Sequence, residues 1–107
     1  VMSLSTLAPP CQLAALFQEL ATKWRQETAF LSSTTEIATH PAYQRIIGFG
    51  PQAIPLILAE LRKKPEPWFW ALTAITGENP VATDDQGKIQ AMAKAWLEWG
   101  HENGWLA

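Results

Sequence analysis

The sequence predicts an all-α domain, a compact bundle of four to five helices, and three observations carry that expectation. Apolar residues recur at helical spacing along most of the chain. Prolines stand where helices would begin, and glycines where they would end. No stretch alternates apolar and polar residues as a half-buried strand does. At 107 residues the chain has the size of a single helical domain, residues 1–107, with room for one core without covalent staples.

Residues 1–9 have no clear period and read as a loose lead-in. Pro9 and Pro10 sit where a helix tolerates proline, in its first turn. Leu13, Leu16, Phe17, Leu20 and Trp24 then fall on one helical face, which predicts a helix over about 10–27. Ser32 to Thr35 interrupt it, because their hydroxyls compete for nearby backbone groups. Ser33-Thr34-Thr35-Glu36 is a capping box, so a short helix is expected from there to Thr39. His40-Pro41 marks the next boundary. Thr39 or His40 would cap a helix whose apolar side is Tyr43, Ile46 and Ile47. Gly48 is expected to end it in the left-handed conformation.

Gly50-Pro51 opens the following helix, with Ile54, Ile57, Leu58 and Leu61 as its stripe. Pro55 has no N–H to give Pro51, so either the first turn is irregular or the regular helix begins at Pro55. Arg62-Lys63-Lys64 places positive charge at the negative end of the helix dipole. After Pro65-Glu66-Pro67, Trp68, Leu72 and Ile75, with Ala71 beside them, predict a short helix stopped by Gly77. Residues 78–87 are a polar loop, in which Asp84 or Asp85 would cap a last helix starting near 85–88. Ile89, Met92, Ala93 and Trp96 mark its face, continued by Trp99 or Gly100. Gly104 should end it, with Trp105-Leu106 folding back on the core.

From Tyr43 to Pro80 the pattern resembles a HEAT-type helical repeat. Ile46-Ile47-Gly48-Phe49-Gly50-Pro51-Gln52-Ala53-Ile54-Pro55-Leu56-Ile57, with Leu61, matches the helix–glycine–helix run of such a unit, and Trp70 to Gly77 looks like the first helix of the next. The resemblance implies a HEAT-like helical hairpin at the centre of the chain. There is no second full copy, so a solenoid is not implied. The chain is also similar to small uncharacterised bacterial proteins sharing Tyr43-Gln44-x-Ile46-Ile47-Gly48 and Trp68-Phe69-Trp70-Ala71-Leu72, a likeness that implies no activity.

The totals narrow the function classes. A formal charge of −2 gives no general drive toward nucleic acid or anionic lipid. Cys11 is the single cysteine, so neither an internal disulfide nor a thiolate metal cluster can form, and it reads as a small apolar residue at a helix start. No apolar run approaches ~18 residues and no leader pattern opens the chain, so a cytoplasmic protein with no membrane association is expected. His40 and His101 are far apart and read as a helix-start residue and an exposed residue; no metal site and no cofactor is expected. Gly48-x-Gly50 is too short for a phosphate loop, and Pro51 removes a backbone donor. Glu60 with Glu66, or Glu98 with Glu102, could pair in space, but solvated faces are the simpler reading and no catalytic residue is nominated.

The aromatic surplus is the functional signal. There are six tryptophans, and Trp68-Phe69-Trp70 cannot share one helix face, because successive residues lie ~100° apart. The candidate partner surface is Phe69, Trp70 and Trp99, with Arg62, Lys63 and Lys64 at its rim. The expected function is a non-enzymatic protein–protein interaction, adaptor or regulatory domain, whose partner is another protein or a second copy. The alternative is a nucleic-acid-associated protein using Arg62 to Lys64, and the third is a small enzyme with carboxylate chemistry.

Overall fold

A computed structural model describes residues 10–106; the lead-in expected over residues 1–9 and the side chain of Cys11 lie outside the described residues. The chain folds as α1 (Pro10–Thr28), α2 (Thr34–Ala38), α3 (Pro41–Gly48), α4 (Ile54–Lys63), α5 (Phe69–Thr76) and α6 (Ile89–Glu102). Short 3-10 turns cover Gly50–Ala53 and Thr83–Asp85. The fold is all-α, with no strand among the described residues. The described residues hold six helices, one above the four to five expected, with the short helix expected at the Ser33 box present as α2. No helix among the described residues is long and apolar enough to cross a membrane.

The stripes read from the sequence are the faces that meet. α1 buries Phe17, Leu20, Ala21 and Trp24, and α4 buries Ile54, Ile57, Leu58 and Leu61. α1 packs chiefly on α3, α3 also on α5, and α4 on α6. Four large rings of the core meet at Trp68, whose centroid lies 4.5 Å from Trp24, 5.6 Å from Phe17 and 5.8 Å from Tyr43, which stacks on it. Trp24 also donates its Nε1–H to the carbonyl of Ile37 at 3.0 Å, fastening α1 to α2.

Local chemistry sets the helix ends. Ser33 Oγ accepts the Glu36 N–H at 3.3 Å. His40 Nδ1 accepts the Ala42 N–H at 3.1 Å, with Pro41 as first helical residue of α3. That bond needs a lone pair on Nδ1, so the ring proton sits on Nε2 and is donated to Glu27 Oε1 at 2.7 Å. The corner after α3 differs from expectation. Gly48 stays within the helix, and the left-handed residue is Gly50, at φ +71°. The reversal is therefore delayed until Gly50–Ala53, an irregular first turn in which Pro51 and Pro55 forgo hydrogen bonds the turn does not offer them. Gly77, at φ +74°, ends α5 as anticipated.

α5 has no side-chain cap of its own, since Trp68 occupies the capping position. A residue of another helix replaces it. Tyr43 Oη accepts the Ala71 N–H at 2.9 Å and donates to the Pro67 carbonyl at 3.0 Å. Burial pushes the phenol well above its ordinary range, so it remains a neutral donor and acceptor. Tyr43→Phe keeps the ring and strands a buried N–H. It should lower stability by about 1–2 kcal/mol, read as a lower urea midpoint with unchanged slope.

α6 begins at Ile89, later than expected, and neither Asp84 nor Asp85 caps it. Both belong to the preceding 3-10 turn, whose Asp85 carbonyl accepts the Lys88 N–H at 3.0 Å. At the other end Trp105 N–H returns to the Gly100 carbonyl at 2.8 Å and Gly104 N–H to His101 at 3.3 Å, a Schellman closure. Leu106 folds back on the core as expected, but Trp105 does not: it is 37 % exposed. A Cβ on Gly100 would stand 2.8 Å from Leu58 Cδ1 and 3.0 Å from Leu106 Cδ1, so glycine lets both side chains onto the helix backbone.

Candidate functional site

Successive residues of α5 point to different surroundings, and that geometry creates the groove. Trp68, Ala71 and Leu72 enter the core. Phe69 is half-buried, and Trp70 is 46 % exposed. Beside them α2, α6 and the loop over 77–88 enclose a cavity of about 570 Å³. Ile37, Phe69, Trp70, Ile89, Met92 and Trp96 supply its apolar wall, and no charged side chain among the described residues lines it. Ile89 is 41 % exposed, so large apolar side chains from two helices stand open along this groove.

Trp99 does not join that surface. It is only 6 % exposed, its ring meets Trp96 edge-on at 5.2 Å, and its Nε1–H reaches Glu78 Oε1 at 3.3 Å. The three-residue spacing of Trp96 and Trp99 turns both toward the interior side of α6. Trp96 is fully buried, and its indole N–H has no partner among the described residues. Arg62, Lys63 and Lys64 are exposed at the end of α4, outside the lining of the cavity, so they do not form its rim.

The carboxylates rearrange the remaining expectations. Glu60 and Glu66, read as solvated, are 5 % and 8 % exposed, and Arg25 joins them. Its Nε and Nη2 donate to both oxygens of Glu66 at 2.8 Å, and Nη2 also donates to Glu60 Oε1 at 2.7 Å. Gln18 and Lys63 complete Glu60 at 3.2 Å each. Burial opposes ionisation of Glu60, but Arg25, Gln18 and Lys63 outweigh it and hold the carboxyl below its usual range. The Glu66 hydrogen bond, partly offset by burial and aided by Glu60, holds the Arg25 guanidinium still more firmly charged. Every partner is used, so the cluster is a latch of α1 onto α4 and the α4–α5 link. It leaves no carboxylate poised as a base.

Glu98 and Glu102 stay on the exposed side of α6, as does His101. His40 serves as a cap. No group of three or more His, Cys, Asp or Glu among the described residues is placed to hold a metal ion. Comparison with protein-family models, with curated proteins and with solved structures finds no match to this chain.

Proposed function

We propose that this chain is a non-enzymatic binding domain that engages a partner protein through the aromatic groove of α2, α5 and α6. The observation that carries the reading is Trp70, 46 % exposed on a helix whose opposite side is core. A large ring left half in water adds little to the fold and is well suited to be covered by a partner. Phe69 and Ile89 widen the apolar contact, and Met92 supplies an adaptable side chain. The Arg25 cluster serves stability instead, since its groups are mutually satisfied.

The test is association of the purified chain with itself and with co-purifying proteins. Trp70→Ala should weaken that association at least tenfold while lowering stability by less than about 1 kcal/mol, because the ring is only half-buried. Severe unfolding of this variant, or unaltered association, would remove the groove from consideration.

A further inference from the structure

α3 begins at a histidine whose two ring nitrogens have opposite duties. Nδ1 accepts the Ala42 N–H at 3.1 Å, and Nε2 donates to Glu27 Oε1 of α1 at 2.7 Å. Pro41 has no N–H, so Ala42 carries the first free donor of the helix, and His40 is its partner. Ala42 is itself buried, so water can replace the ring only if the first turn opens. The His40 side chain is 11 % exposed, and Glu27 is the charged side chain paired with it. Lys23 on α1, Glu36 on α2 and Arg45 on α3 are the other charged groups of the flanking turns, and all three are exposed.

The same turn carries the side chains that tie down two walls of the groove. Gln44 Nε2 donates to the Ala38 carbonyl at 2.7 Å and so holds the end of α2. Tyr43 Oη holds the start of α5 through Pro67 and Ala71. Ala38, Pro67, Phe69 and Trp70 line the cavity. We propose that His40 is a proton-operated catch on the groove: when its ring takes up a second proton, the first turn of α3 opens, and the hold of Tyr43 on α5 and of Gln44 on α2 loosens. The added proton goes to Nδ1, since Nε2 already carries one. It turns the acceptor facing Ala42 into a donor and puts positive charge at the positive end of the helix dipole. Glu27 keeps its bond to the imidazolium through Nε2, so the ring stays with α1 while α3 loses its cap. This assigns a regulation to the groove and rests on the partner-binding reading for its consequence: a partner held at neutral pH is released in acid.

The test needs no partner. Isotopically labelled chain carrying His101→Gln, in which His40 is the one histidine left, is titrated from about pH 7.5 to about pH 5.5. That range stays above the ordinary carboxylate titrations. Ring nitrogen shifts should place the proton on Nε2 at the start. In proton–nitrogen correlation spectra the Ala42 amide, the Gln44 side-chain amide and the Trp70 indole N–H should then move together, with the midpoint of the ring. His40→Asn retains an oxygen that can cap Ala42 and does not titrate, so all three signals should stay still. Glu27→Gln keeps an acceptor for Nε2 and removes the charge, so the common midpoint should fall by about 0.3 pH unit or more, a check that stands even if His40→Asn does not fold. The proposal is overturned if the Ala42 amide ignores the titration of the ring, or if Trp70 stays still while Ala42 moves. It is equally overturned if Trp70 moves as far in His40→Asn, or if the ring carries its proton on Nδ1 at neutral pH. Any of these results leaves the Trp70→Ala association test standing, and failure of that test leaves the shared titration of the three signals unaffected.

Discussion

Trp68→Ala should destabilise the domain by about 4–5 kcal/mol, the largest effect expected of any single substitution in this chain. The ring is fully buried and touches the rings of Phe17, Trp24 and Tyr43. Its removal forfeits the apolar transfer of a whole indole, opens a cavity among three other rings, and takes away their aromatic pairing. It also removes the Nε1–H that reaches Glu66 Oε1 at 3.4 Å. Domains of this size hold about 5–15 kcal/mol in total, so the variant should sit near the edge of folding. Thermal denaturation followed by near-ultraviolet circular dichroism should show a midpoint about 20 °C lower. The informative comparison is Trp70→Ala, two positions along the same helix, which should move the midpoint by only a few degrees. Equal effects at the two sites would mean that the burial pattern of α5 is wrong.

That contrast also marks how far the sequence alone could be read. Stripes at i, i+3 and i+4 placed α1, α3, α4 and α5 nearly to the residue, because apolar periodicity reports which side of a helix leaves water. The same arithmetic separated Trp68 from Trp70. For Trp99 the same spacing from Trp96 already pointed inward, and its place on the partner surface rested on the aromatic surplus alone. The cap of α5 was invisible for a different reason. Local rules search for a Ser, Thr, Asn or Asp at the helix start, whereas the group that meets Ala71 N–H is Tyr43, 28 positions earlier. The corner at Gly48 to Gly50 was legible as a corner but not in its detail. Either glycine could take positive φ, and Pro51 favoured the later one by delaying the α4 hydrogen bonds.

Glu60 and Glu66 were the larger omission, and Arg25→Met measures what they contribute. A signal was present: Glu60 sits between Leu58 and Leu61 on the face that α4 buries, and a charge there requires a partner. Replacing Arg25 by methionine leaves two buried carboxylates, of which Glu66 retains only the long contact from Trp68. Breaking a buried pair typically costs ~3–5 kcal/mol. The Arg25 side chain is 32 % exposed, so solvent screens part of that, and about 2–3 kcal/mol at pH 7 is expected. The pH dependence identifies the cause. In the parent chain Glu60 is held below its usual range, so its stabilisation is complete above the ordinary carboxylate range near ~4.3 and is lost as pH falls through the lower folded value. In the variant, protonation instead relieves an unpaired buried charge, so stability should rise as the pH is lowered from 7 toward 5. The gap between the two urea midpoints should therefore narrow with acid. A gap that stays constant from pH 7 to pH 4 would assign the loss to the packing of the Arg25 stem and not to its charge. Adding Glu60→Leu and Glu66→Leu to Arg25→Met separates the same causes at neutral pH. With no buried charge left to strand, most of the lost stability should return, because apolar groups of similar size often replace a buried ion cluster without penalty.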